Sequence, residues 1–132
     1  MEIQPVEVSG VAPPGGHYTH GLVARAARWL FVAGQVALDE TGQLVGEGDA
    51  EAQADQVLAN LDRVITAAGG TREGVVKTTV YLVDLADRAA VGRARQRFFP
   101  SPPPTNTLLV VESLAQPQFL VEIEAIVALP EP

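Results

Sequence analysis

Apolar residues recur along this chain with two different periods. Between residues 50 and 68, Val57, Leu58, Leu61, Val64, Ile65 and Ala68 return every three or four positions, the spacing of one helix face. Asp49 stands where a side chain can cap the first turn, Glu51 suits the positive end of the helix dipole, and Gly69-Gly70 offers a left-handed stop. A second helix is predicted over Arg88–Phe98, capped by Asp87, with Ala90, Val91, Ala94 and Phe98 turned inward and Phe99-Pro100 ending it. Elsewhere the period is two. Thr19–Arg25, Trp29–Gln35, Val75–Val83, Thr105–Val111 and Leu120–Leu129 read as strands, and Gln43–Val45 as a short extended piece after the Asp39–Gly42 turn. Alternation in the second strand sets Leu30, Val32 and Gly34 on one face and Phe31, Ala33 and Gln35 on the other.

The order β-β-(β)-α-β-α-β-β gives two helices to a mixed sheet of five or six strands, hence a two-layer α+β fold with both helices on one face. Its length suits one domain over residues 1–132. The last strand is apolar on both sides: Val121, Ile123, Ala125 and Val127 alternate with Leu120, Ile126 and Ala128. Two helices cover only one side of such a sheet. A second copy of the chain is the simplest cover for the other, so packing alone predicts a homo-oligomer.

Composition narrows the chemistry. Cysteine is absent, which excludes disulfides, thiolate catalysis and Cys-based metal sites. Nine basic residues against sixteen acidic ones give a net charge of −7, which opposes binding to nucleic acid. The cluster Arg93, Arg95 and Arg97 reads as a solvated helix face. Neither a basic, apolar leader nor a run of ~20 apolar residues is visible, so no membrane partner is expected and the expected location is cytoplasmic.

Glu122 and Glu124 sit two apart in a strand and share a face with Leu120 and Ile126. A carboxylate among apolar neighbours can shuttle protons; the same pair can equally reach a solvated rim or meet an arginine. Tyr18 lies between His17 and His20 after a Pro/Gly loop, a plausible ligand contact or an ordinary strand end. Two histidines three apart with no third ligand nearby do not predict a metal site. Pro103-Pro104-Thr105-Asn106-Thr107 places an amide and two hydroxyls after a rigid loop. Phosphate-cradling glycine loops and nucleophile elbows are absent.

Several segments together resemble the RidA/YjgF reactive-intermediate deaminase family. They are Gly16-His17-Tyr18-Thr19-His20, Phe31-Val32-Ala33-Gly34-Gln35, Gln56-Val57-Leu58-Ala59-Asn60-Leu61, Val75–Leu82 and Val121-Glu122-Ile123-Glu124-Ala125. The resemblance implies a chorismate-mutase-like fold and a homotrimer binding a small molecule in clefts between subunits. It implies hydrolysis of enamines and imines to a carbonyl compound and ammonia, without a cofactor. Glu122 would be the catalytic residue, and Tyr18, Gly34, Asn106, Thr107 and His20 would bind substrate. Where deaminating members carry a carboxylate-gripping arginine followed by serine, this chain has Asn106 and Thr107, and a histidinium or Arg25 is one source of the missing charge. A non-catalytic ligand-binding or regulatory trimer is the alternative function. Ribonuclease activity, reported for some relatives, ranks last.

Overall fold

The computed structural model describes residues 1–132. Its elements are β1 (Glu2–Pro5), β2 (Leu22–Arg25), β3 (Arg28–Gln35), α1 (Ala50–Ala67), β4 (Val75–Leu82), α2 (Arg88–Phe98), β5 (Thr105–Val110) and β6 (Val121–Leu129). Four strands form a mixed sheet in the order β3-β6-β4-β5. Strand β6 is antiparallel to both neighbours, and β4 and β5 are parallel, with α2 in the connection between them. The remaining two strands form a separate antiparallel ribbon in which Glu2 lies opposite Arg25 and Pro5 opposite Leu22. Four residues ending in proline carry no readable alternation, so β1 is recognised only through its partner. The piece expected at Gln43–Val45 reduces to one bridge, Leu38 to Leu44. Asp39 gathers it into a tight loop, its Oδ1 accepting from the Thr41 backbone and hydroxyl and from the Gln43 backbone.

Both helices pack on one face of the sheet. Val57, Leu58, Leu61 and Ile65 of α1 meet Val32, Val80, Leu82, Val121, Ile123, Ala125 and Val127, all buried. Val91 and Ala94 of α2 complete that core. Each large aliphatic side chain buried in this way contributes about 1.5–3 kcal/mol. Asp49 caps α1 by accepting from Ala52 N at 3.0 Å, and Gly69 at φ 82° carries the chain out of the helix. At α2 the cap differs from expectation. Asp87 occupies the cap position without a side-chain bond, whereas Asp84 accepts from Ala86 N at 2.9 Å and caps a 3-10 turn, Leu85–Asp87, leading into the helix.

Polar side chains of α1 fix the loops around the sheet. Gln53 is fully buried; its amide donates to the carbonyls of Gly46 (3.1 Å) and Gln118 (2.9 Å) and accepts from Leu120 N (2.9 Å). Asn60 donates to the carbonyls of Val36 and Leu38, just past the end of β3.

The three α2 arginines do not share a solvated face. At 100° per residue, Arg93 and Arg97 lie on one side of the helix and Arg95 on the opposite side. Arg93 and Arg97 clamp Glu51 of α1 at 2.9 and 2.7 Å, and Arg97 also pairs with Asp55. Arg95 falls on the inward stripe with Val91 and Phe98 and is 4% exposed.

Two outcomes follow from this packing. Leu61→Ala is expected to lower the free energy of unfolding by about 2–5 kcal/mol in denaturant titrations, because Leu61 is enclosed on all sides. The Arg97 and Arg93 guanidinium groups hold the Glu51 carboxyl below its ordinary pKa, so its contribution is present above the unfolded value and lost as pH falls through the folded one. Glu51→Gln should therefore melt below the wild type at pH 7, and the gap should close as pH drops below about 4. A gap independent of pH would remove the ion-pair explanation.

Candidate functional site

Alternation in β6 sends Val121, Ile123, Ala125 and Val127 to the helices and turns Glu122, Glu124 and Ile126 to the uncovered side. On that side Glu122 lies opposite Tyr81 and Glu124 opposite Thr79 of β4, while Ile126 lies opposite Phe31 of β3. The two glutamates are not equivalent. Glu124 accepts the Tyr81 hydroxyl at 2.7 Å, and that bond, with burial, raises the phenol's pKa above its ordinary value. Glu122 has no hydrogen-bond partner within the chain, although it is half-buried.

Gly34 reaches Glu122 through a break in strand register. Val32 pairs with Ala125 and Gln35 with Ile123, so Ala33 and Gly34 together stand opposite the single residue Glu124. This bulge overrides simple alternation. Gly34 leaves the face of Leu30 and Val32 and turns toward the glutamate, and Gln35 moves to the register position facing the helices. A Cβ on Gly34 would overlap the Glu122 carboxylate, lying 2.7 Å from its carboxyl carbon, so only glycine fits without displacement. Asn60 and its partner Gln56 pin the backbone just beyond the bulge, which accounts for that polar pair inside an otherwise apolar helix segment.

A second cluster lies on the helix side of the same sheet. Asn106 of β5 pairs in register with Thr78 of β4, and the Thr78 hydroxyl donates to Asn106 Oδ1 at 2.7 Å. Arg95 donates from Nη2 to the Thr78 hydroxyl (3.2 Å) and from Nη1 to the His17 carbonyl (2.8 Å). Burial pushes its pKa down to about 10, so the guanidinium stays charged at neutral pH. A cavity of about 650 Å³ opens here, lined in part by Gly15, Gly16, Tyr18, Arg88, Arg95 and Asn106. Thr19 ties the wall of this cavity to the proline-rich loop by donating to the carbonyls of Pro103 (2.6 Å) and Pro104 (3.1 Å). His17 donates to the Phe99 carbonyl at 2.9 Å. His20 packs edge-on against Tyr18, donates to the Ala12 carbonyl at 2.6 Å and stands outside the lining.

The residues marked in the sequence thus divide between two faces. Glu122, Gly34 and Thr107 occupy the uncovered side, where Lys77 donates to the Thr107 hydroxyl at 2.7 Å. Tyr18 and Asn106 occupy the cavity side. Asn106 and Thr107, expected to act side by side, point in opposite directions because successive strand residues must. Arg25 is exposed on the β1–β2 ribbon and lies outside the cavity lining. Sequence reasoning missed Arg95; the signal was its place on the Val91–Phe98 stripe. No group of three His, Asp or Glu side chains is placed to hold a metal ion, and no helix is long and apolar enough to cross a membrane.

The placement of strands and helices defines a two-layer α+β protein whose sheet is covered on one side only. The sequence model of the family described as Endoribonuclease L-PSP matches residues 9–129. A RutC family protein of Synechocystis is 39% identical over 98% of this chain and 99% of its own length. The chloroplastic Reactive Intermediate Deaminase A of Arabidopsis thaliana is 36% identical over 86% of this chain and 59% of its own. Among solved structures, the Rid-family protein YyfB of Yersinia pestis superposes with a TM-score of 0.85 at 34% identity, covering 98% of this chain and 100% of that one. RidA from an Antarctic Psychrobacter gives 0.73 at 29% identity, covering 96% and 99%. The chain belongs to the Endoribonuclease L-PSP family, the RidA/YjgF proteins.

Gly34→Ala gives a structural test of the bulge. A crystal structure of that variant should keep the fold and show the Glu122 carboxylate displaced by roughly 1 Å, the shift needed to restore ordinary carbon–carbon contact. A carboxylate left in place would mean that β3 relaxes instead.

Proposed function

We propose that the protein hydrolyses a small reactive imine or enamine to a carbonyl compound and ammonia, in the cytoplasm, at clefts between three copies of the chain. One observation carries this reading: a half-buried glutamate without an intrachain partner faces a glycine on the bare side of the sheet. Glu122 takes a proton from water as the hydroxide adds to the imine carbon, and it passes that proton to the nitrogen, giving a carbinolamine. Glu122 then takes the proton of the adduct's hydroxyl and delivers it to the nitrogen as the C–N bond breaks, leaving the carbonyl compound and ammonia. Gly34, lacking a side chain, lets the Glu122 carboxylate sit against the β3 backbone.

Self-association supports the same reading on physical grounds. Within one chain, Glu122 and the Tyr18–Asn106 cluster lie on opposite sides of one sheet and cannot touch the same small molecule. A neighbouring copy set against the bare face brings them together. That face carries Phe31 at 74% exposure, with Trp29 and Leu109 also exposed, an apolar surface suited to burial against protein. The net charge of −7 argues against an RNA backbone as the ligand.

The test supplies imino acids by the action of an amino-acid oxidase and follows ammonia release. Glu122→Ala should slow release by about 10²–10⁴-fold, the range of a lost acid–base group. An unchanged rate would take the catalytic role from Glu122. Wild-type protein that binds ligand yet releases no ammonia above background would leave a non-catalytic binding module. Sedimentation of the wild type should give a trimer at micromolar concentration; a stable lone subunit would remove the clefts.

A further inference from the structure

Arg95 is the one buried arginine of the chain, and its surroundings leave its charge uncompensated. Its α2 neighbours Arg93 and Arg97 both reach carboxylates of α1, whereas no carboxylate of the chain lies within ion-pair distance of Arg95. Its two terminal nitrogens each hold a neutral oxygen, the His17 carbonyl and the Thr78 hydroxyl, and its Nε–H is buried with no protein acceptor. Buried charges are ordinarily paired, because desolvating an unpaired one is expensive. The Phe99 ring, 5.4 Å from the guanidinium carbon, backs the group and contributes no counter-charge.

The cavity beside it has matching chemistry. Its lining holds two arginines, Arg88 and Arg95, and not one aspartate or glutamate, in a chain of net charge −7. Thr78 links the guanidinium to Asn106: it accepts from Arg95 and donates to the Asn106 carbonyl oxygen, which leaves the Asn106 amide N–H groups without an intrachain acceptor. A buried cation and a free amide donor, one hydroxyl apart, border the same space.

We propose that Arg95 is the anion-binding residue of this cavity and that its ligand carries a small monocarboxylate, met by the Arg95 guanidinium and the Asn106 amide. Two of the guanidinium nitrogens already serve the protein, so the remaining donors suit one pair of carboxylate oxygens better than the three oxygens of a phosphate. The charge that a β5 arginine would supply enters here from α2. A second arginine at position 106 would face Arg95 across Thr78. This deepens the deaminase reading by giving the imine a carboxylate, and it rests on that reading for the chemistry alone, since binding is measured without turnover.

The experiment is calorimetric titration of the full-length protein with pyruvate, its uncharged methyl ester and inorganic phosphate. Pyruvate should bind, and the ester and phosphate should bind at least about tenfold more weakly. Arg95→Met should weaken pyruvate by at least about tenfold while leaving the weak ester signal unchanged; a generally loosened fold would move both. Where Arg95→Met does not fold, Arg95→Lys keeps charge and bulk but loses the fork, and should weaken pyruvate while its melting temperature stays near the wild type. No pyruvate binding by the wild type, equal binding of the ester, tighter binding of phosphate, or full affinity in both variants would overturn the proposal. Glu122→Gln separates the two readings. It should lose ammonia release and keep pyruvate binding. Ammonia release together with pyruvate binding indifferent to Arg95 sinks only the anion site, and Arg95-dependent binding without ammonia release sinks only the deaminase.

Discussion

The placement of Glu122 and Glu124 depends on strand β6 having two unlike sides. Its odd positions, Val121 to Leu129, pack under α1 and α2 in the observed register. A slip of one residue would bury Glu122 and Glu124 among Leu58, Leu61 and Ile65 and expose the aliphatic set instead. The core therefore dictates that two carboxylates emerge on the far side. Hydrophobic burial fixes their direction, and the neighbours on β4 then distinguish them. Tyr81 engages Glu124, and Glu122 is left free beside the bulge.

That bulge is itself held from the helix layer. A two-against-one mismatch in an edge strand forfeits ladder bonds, and freed carbonyls need donors. The Gln35 side chain donates to the Ala33 carbonyl within the bulge. Asn60 donates to the carbonyls of Val36 and Leu38 just beyond it, and the Gln56 amide donates to the Asn60 side-chain oxygen. Gln53 does the equivalent for the loop that feeds β6. Three amides on α1 thus position both strands that carry Gly34 and Glu122, while the aliphatic residues between them build the core. Polar groups inside a helix normally weaken a core; here each saturates backbone that irregular segments would leave unpaired.

The sequence made the elements legible wherever one period dominated. The stripe from Val57 to Ala68 and the alternation in β6 are long, and their elements emerge within a residue of expectation. Legibility failed where a local rule met a tertiary one. Gly34 looked like a partner of Val32 because alternation has no way to announce a bulge; only pairing with β6 reveals it. Asn106 and Thr107 looked like a joint binding pair because they are adjacent, yet adjacency in a strand means opposite faces. Glu2–Pro5 was too short to show a period at all.

Arg95 is the most instructive of these cases, because its sequence context held two readings at once. Counted by twos, Arg93, Arg95 and Arg97 form a basic run that belongs in water. Counted by helical turns, Arg95 follows Val91 by four and precedes Phe98 by three, which places it on the buried stripe. Charge favours the first count and geometry the second, and geometry prevails because α2 cannot rotate without withdrawing Val91 and Ala94 from the core. The guanidinium is thereby carried to the edge of a cavity that contains no acid, next to an asparagine that supplies only neutral donors. In a chain this acidic, that makes the cavity's charge opposite in sign to the protein's own, a local field produced by helix phase rather than by composition.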